Sequence, residues 1–152
     1  MNAIRFLLNE HNRFRRALEL IAGSKHREET RKKRFSQLCL ELIRHETMEQ
    51  EIWYPAIKKS AKLSPVIKHL ISEEKKAAKA IRGIQNTLSE ADWESQFLKI
   101  KKDVEHHARE EETTLFPFVE SVITDEKLRA LGLQLHDFKV KTEKFLKEDV
   151  LF

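Results

Sequence analysis

The sequence predicts an all-α protein: an antiparallel, up-down four-helix bundle with one additional C-terminal helix. Three observations lead there. Apolar residues recur every three or four positions almost throughout, the period of an amphipathic helix. Glycine and proline appear only three times each, which leaves little turn-forming material for a β-rich fold. Charged residues make up 36% of the chain and hydrophobic ones 40%, a balance suited to helices that bury one face and solvate the other. At 152 residues there is room for one core and little for a second.

The first helix reads from about Asn2 to Ala22, with Gly23 expected to close it in a left-handed conformation. The second runs from about Glu29 to Ser60. Ser64 is expected to cap the third, with Pro65 in its first turn, and that helix reaches about Leu88. Ser89 followed by Asp92 resembles a capping box and opens the fourth, which runs to about Val122. Thr124, Asp125 and Glu126 open the fifth, ending near Lys147. Short connections between long helices imply antiparallel neighbours. The bundle is assigned residues 1–123, and 124–152 the additional helix. Its apolar line, Leu128, Leu131, Leu135, Phe138 and Phe145, either covers the bundle or forms a homodimer face.

The chain repeats itself. Residues 45–55 read HETMEQEIWYP and 107–117 read HAREEETTLFP, both His-x3-Glu-x3-apolar-aromatic-Pro. Upstream, LLNEHNRFRRALELI (7–21) parallels LISEEKKAAKAIRGI (70–84), which sets His11 opposite Glu74. Two helix pairs on one plan indicate a duplicated α-hairpin with approximate two-fold symmetry. The proline in each second helix, Pro55 and Pro117, removes one backbone bond and is expected to bend it locally.

The apolar stripes carry the chemistry. They read Ile4, Leu7, His11, Phe14, Leu18, Ile21; then Phe35, Leu38, Leu42, His45, Glu49, Trp53, Ala56; then Ile67, Leu70, Glu74, Ala77, Ile81, Ile84, Leu88; then Phe97, Val104, His107, Glu111, Leu115, Phe118. Each is interrupted near its middle by His, Glu or both. Burying a neutral polar group unpaired costs roughly 2–7 kcal/mol and an ionised carboxylate far more. Three carboxylates and three imidazoles in one core therefore call for a compensating charge, and no Lys or Arg lies on these stripes. Metal cations supply it. Imidazole with carboxylate suits Fe, Mn or Zn. Six ligands (His11, His45, Glu49, Glu74, His107 and Glu111) are too many for one tetrahedral zinc and suit two metals, with Glu49 and Glu111 as bridges. Open coordination positions would face a small ligand such as O2 or another diatomic, in a pocket walled by Trp53, Tyr54, Leu115, Phe116 and Phe118.

Other residues read more blandly. Glu74 has a competing reading as a cap or salt-bridge partner, with Glu73 or Lys75 in a shifted register. Glu46 is set at the stripe's edge, near a metal or in solvent. His106 lies one step off the stripe, in an outer shell or at the surface. His26, His69 and His136 are expected at the surface. Cys39 excludes an internal disulfide and reads as a small buried hydrophobe. The 29 basic residues are interleaved with 25 acidic ones. The densest basic run, Lys25 to Arg34, is interrupted by acids and lacks interleaved aromatics, which argues against a nucleic-acid footprint. With no membrane-length apolar run, and Glu10 arriving before a signal-like stretch can form, the expectation is a cytoplasmic protein.

On His11, the His45-x3-Glu49 and His107-x3-Glu111 pairs, and the WYP and LFP tails, the sequence resembles the hemerythrin-like, or HHE cation-binding, family across residues 3–120. The resemblance implies a hemerythrin-like four-helix bundle with a non-haem, carboxylate-bridged di-iron centre. Across that family such centres serve oxygen binding, oxygen or iron sensing, or the handling of reactive oxygen and nitrogen species. This sequence departs from the oxygen carriers, which have His-x3-His on the third helix where Glu74 and Ala78 stand here. It also has His-x3-Glu on the fourth helix in place of His-x4-Asp. The more acidic set is expected to favour oxidised iron and weaken reversible oxygen carriage. Three functions stay open: a di-iron module that senses or handles O2 or iron, a di-iron oxidase, peroxidase or nitric-oxide-handling enzyme, and a metal-stabilised interaction module.

Overall fold

The computed structural model describes residues 1–25, 27–58, 63–87 and 89–147, the last three by backbone alone. Among them every regular element is helical: α1 (Ala3–Ala22), α2 (Glu28–Met48), α3 (Tyr54–Ile57), α4 (Ser64–Ile84), α5 (Glu90–Glu110), α6 (Phe116–Val122) and α7 (Asp125–Lys147). A π turn at Glu49–Trp53 joins α2 to α3, and its counterpart at Glu111–Leu115 joins α5 to α6. The result is the four-helix bundle with an additional helix that the periodicity predicts.

Side chains cap three of the helix starts. The Asn2 carboxamide oxygen accepts from the Arg5 amide at 2.9 Å, Ser89 Oγ from the Asp92 amide at 3.1 Å, and Thr124 Oγ1 from the Lys127 amide at 3.3 Å. Two expectations need correction. Gly23 sits at φ −88°, ψ 2°, because its N–H closes a regular turn on the Glu19 carbonyl at 2.9 Å and no left-handed residue is needed. Ser64 is already helical; Leu63 holds the capping position and no side chain caps it. The third helix ends at Ile84. Leu88, His26, the Phe145 side chain and residues 59–62, with the expected end at Ser60, lie outside the described residues.

The prolines widen the helix. Pro55 and Pro117 have no N–H to return to the preceding turn, and each follows a turn closed over five residues. The Tyr54 amide donates to the Glu49 carbonyl, and the Phe116 amide to the Glu111 carbonyl. One extra residue per turn brings consecutive side chains inward, so Trp53 with Tyr54, and Leu115 with Phe116, are all buried.

The core falls into two apolar clusters. One gathers Ile4, Leu7, Trp53, Tyr54, Leu70, Leu115 and Phe116 around the π turns. The other gathers Phe14, Leu18, Phe35, Leu42, Ile81 and Phe97 toward the opposite end. Cys39 is buried in the second, and burial followed by the charge of Glu46 pushes its thiol up to about 12. Leu128, Leu131 and Leu135 of α7 complete the first cluster, so this part of the helix's apolar line covers α1 and α2. Gly132 permits that approach, since a Cβ there would collide with the Met1 carbonyl. No helix among the described residues is long and apolar enough to cross a membrane.

Leu135 is fully buried between α7 and the bundle. Leu135→Ala is expected to cost about 2–4 kcal/mol of unfolding free energy in urea titration, through lost transfer energy and a residual cavity. An unchanged midpoint would mean that α7 is not anchored there.

Candidate metal centre

Between the two clusters lies a polar layer. His11 follows Leu7 and precedes Phe14 on α1, so that one helix passes from the first cluster through the layer into the second. His45 stands in the last turn of α2 and Glu49 opens the first π turn. His107 and Glu111 hold the same places at the end of α5 and in the second π turn, and Glu74 comes from the middle of α4. The structure thus brings all six sequence candidates together.

They form two overlapping groups. Donor atoms of His11, His45, Glu49 and Glu111 lie within 4.8 Å of one another, and so do those of Glu49, Glu74, His107 and Glu111. Glu49 and Glu111 belong to both. Both oxygens of each, and both ring nitrogens of His45, are buried with no hydrogen-bond partner among the described residues. His45 Nε2 is only 3.1 Å from Glu49 Oε1, but the pair does not meet in hydrogen-bonding geometry. Orphaned carboxylates at this depth are costly. A donor set of this kind fits two cations sharing Glu49 and Glu111.

Around this layer the duplicated plan continues. Glu10, one residue before His11, lies 3.7 Å from His45 Nδ1; Glu73, one residue before Glu74, lies 3.2 Å from His107 Nδ1. Glu112, one residue after Glu111, bonds His11 Nδ1 at 2.7 Å; Gln50, one residue after Glu49, donates to Glu74 Oε1 at 3.0 Å. Tyr54 Oη donates to Glu74 Oε2 at 2.9 Å, while its counterpart Phe116 stacks on His11 at 5.9 Å. His11 and His107 are therefore each oriented by a bonded outer carboxylate, an arrangement that fixes the tautomer and sharpens a metal ligand, while Glu10 stands near His45 without bonding it. These carboxylates are further anchored, Glu112 by Arg15 at 2.8 Å and Glu10 by Lys139 of α7 at 2.9 Å.

The roles of Glu10, Glu112 and Gln50 are absent from the reading of the stripes, because all three lie one residue off them. The repeat held the signal, since it aligns Glu10 with Glu73 and Gln50 with Glu112. Glu74 sits in mid-helix, so it is no cap; it is 1% exposed and bonded by Tyr54, Gln50 and His107. Glu46 belongs to neither donor group; it lines the adjoining cavity half-buried, where burial and the charge of Glu74 push it up to about 9. Of the expected wall residues, Tyr54 and Phe116 touch the layer, Trp53 packs edge-on against Phe116, and Phe118 packs half-buried on the first cluster. His69, His106 and His136 are exposed. A cavity of about 330 Å³ reaches His11, His45, Glu74 and His107 from the α4–α5 side.

Burial, then the charges of Glu111 and Glu74, raise the Glu49 carboxyl well above the usual range. Burial also raises Glu111, but Glu49, His107 and the charge on His11 outweigh it and bring it down to about 2. Burial lowers His107, but Glu111 and Glu74 outweigh it and push it up to about 11. At neutral pH without metal, His107 thus holds a proton that a cation must displace, while burial and the neighbouring carboxylates disfavour the charged form of Glu49.

This combination of a helical bundle with a buried layer of imidazoles and carboxylates defines a cation-binding bundle protein. A sequence profile of the Hemerythrin HHE cation binding domain matches residues 2–119. The chain belongs to that family. It is similar to a hemerythrin HHE cation binding domain-containing protein from Mycobacterium kansasii, known from its crystal structure. The two share 26% identity and a TM-score of 0.81, over 98% of this chain and 94% of the other. No curated protein matches the chain.

Two outcomes test this site. Metal loading is expected to release protons, measured in weak buffer, and apparent affinity is expected to rise from mildly acidic to neutral pH, as proton competition at His107 falls; a pH-independent affinity would contradict a proton held on that ring. Glu112→Ala is expected to weaken metal binding about 10–100-fold in chelator competition, by releasing the His11 ring. Unaltered affinity would remove Glu112 from the support of His11.

Proposed function

We propose that this protein binds two iron ions in the polar layer and uses them to sense or handle O2 or iron. His11 and His45 would serve one ion and His107 and Glu74 the other, with Glu49 and Glu111 bridging. The observation that carries this reading is the pair of wholly buried, unpartnered carboxylates shared by two donor groups. Imidazole and carboxylate together accept Fe, Mn or Zn, and the family's membership supports iron among them. Bound iron would supply redox activity and open coordination positions for a small diatomic ligand.

The chain's own side chains would set how such a centre behaves. Glu112 and Glu73 hold the imidazoles of His11 and His107 in place, Glu10 stands 3.7 Å from His45, and Tyr54 and Gln50 hold Glu74. Phe116 stacks on His11 and Phe14 packs edge-on to His45, so aromatic surface flanks both rings in that half of the layer. Three carboxylates where the carriers have a more histidine-rich set favour the oxidised metal, since anionic ligands stabilise the higher charge. This supports sensing or redox handling over reversible carriage.

A second reading, turnover of peroxide or nitric oxide, is favoured by the cavity, which gives a small polar substrate a path to His107 and Glu74. Anaerobic iron loading followed by metal analysis and absorption spectroscopy before and after air tests the first reading. Two irons per chain with charge-transfer bands are expected, one for each donor group; less than one iron would refute it. Peroxide or nitric oxide consumption by the iron-loaded protein and its His107→Ala variant tests the second. Equal rates in both would sink turnover at this centre.

A further inference from the structure

Outside the layer, two more His-x3-Glu pairs face each other across neighbouring helices: His69 with Glu73 on α4, and His106 with Glu110 on α5. His69 Nε2 lies 3.3 Å from Glu110 Oε2 and 3.7 Å from Glu73 Oε1. His106 Nε2 lies 2.6 Å from Glu110 Oε1 and 3.8 Å from Glu73 Oε2. Donor atoms of His69, Glu73 and Glu110 all lie within 4.8 Å of one another. A tetrahedral ion with bonds of about 2.1 Å needs donors about 3.4 Å apart, so these separations bracket what one small cation requires.

The internal repeat gives a second, independent observation. In the first half of the chain the equivalent positions are Phe6, Glu10, Arg44 and Met48. That face is covered by α7, whose Lys139 bonds Glu10 and whose Glu143 bonds Arg44. In the second half Glu73 keeps the counterpart of Glu10, while Phe, Arg and Met are replaced by His69, His106 and Glu110. His69 and His106 are 61% and 58% exposed, and together with Glu73 they line the cavity that leads inward. Where one half closes its face with a helix, the other presents metal-binding side chains to solvent.

We propose that His69, Glu73 and Glu110, with His106 beside the two carboxylates, form a separate surface site for a divalent transition metal ion, at the mouth of the cavity above the buried layer. Two neutral imidazoles and two carboxylates neutralise one dication, and the mixed donors select Fe(II), Co(II) or Zn(II) over Mg(II) or Ca(II). Glu73 also reaches His107 Nδ1 at 3.2 Å, so an ion held here stands one carboxylate away from the inner layer. It is placed to pass inward, a step that rests on the di-metal reading above.

The test is a Co(II) titration of the full chain, followed by visible absorption and metal analysis, on the wild type, His69→Ala/His106→Ala, Glu110→Gln and His45→Ala. The wild type is expected to bind one Co(II) more than either outer variant, at micromolar concentration. His45→Ala is expected to keep that ion while its inner sites weaken. Equal stoichiometry in the wild type and both outer variants, or an extra ion taken up only at millimolar Co(II), would overturn the surface site. Loss of inner binding in every protein with the outer ion retained would overturn the di-metal reading and leave this site standing. Stopped-flow Fe(II) uptake into the inner layer is expected to slow several-fold in His69→Ala/His106→Ala; an unchanged rate would overturn the inward passage.

Discussion

Two glutamates with no exposed surface, Glu49 and Glu111, sit side by side where two apolar clusters meet, and the surrounding structure answers to their charge. In the metal-free chain that charge is met from within: burial and the neighbouring carboxylates push the Glu49 carboxyl toward its neutral form, and the imidazolium of His107 stands 3.0 Å from Glu111. The arrangement spends stability to hold acceptors away from water, since an apolar layer of the same shape would pack without that penalty. A bundle that retains such a layer has a use for it. Cations are the natural counter-charge, which links metal binding to the completion of the core.

The second organising element is the duplication. Each half supplies a donor on its first helix, a His-x3-Glu pair on its second, and a π turn that begins at the glutamate of that pair. The halves diverge at one inner position, His11 against Glu74, and the neighbours diverge with it. His11 is met by the carboxylate of Glu112 and the face of Phe116, whereas Glu74 is met by the amide of Gln50 and the hydroxyl of Tyr54. An imidazole N–H seeks an acceptor and a carboxylate seeks donors, so the substitutions compensate one another. The π turns make these contacts available, because the added residue swings Tyr54 and Phe116 onto the ligand face. α7 breaks the symmetry further, closing one half and leaving the other with its cavity.

Much of this was legible in the chain. Helical periodicity, scarce glycine and proline, and polar capping residues determined the all-α bundle and most helix starts, because those signals are local and act over one or two turns. The doubled His-x3-Glu pattern on apolar stripes singled out six side chains that the fold does bring together, since residues four apart share a helix face in any packing. Other features were not set by these signals. Gly23 closed its helix without a left-handed turn because a backbone acceptor was within reach. The prolines read as bends, and each instead follows a π turn whose extra residue buries the aromatics just before it. The supporting carboxylates Glu10, Glu73 and Glu112 bond partners on other helices, which no single-helix pattern records. Sequence by itself determined which residues interrupt the hydrophobic faces; only the tertiary structure decided which of them share a carboxylate, which are held by a neighbour, and which half stays open, because those depend on how separate helices meet.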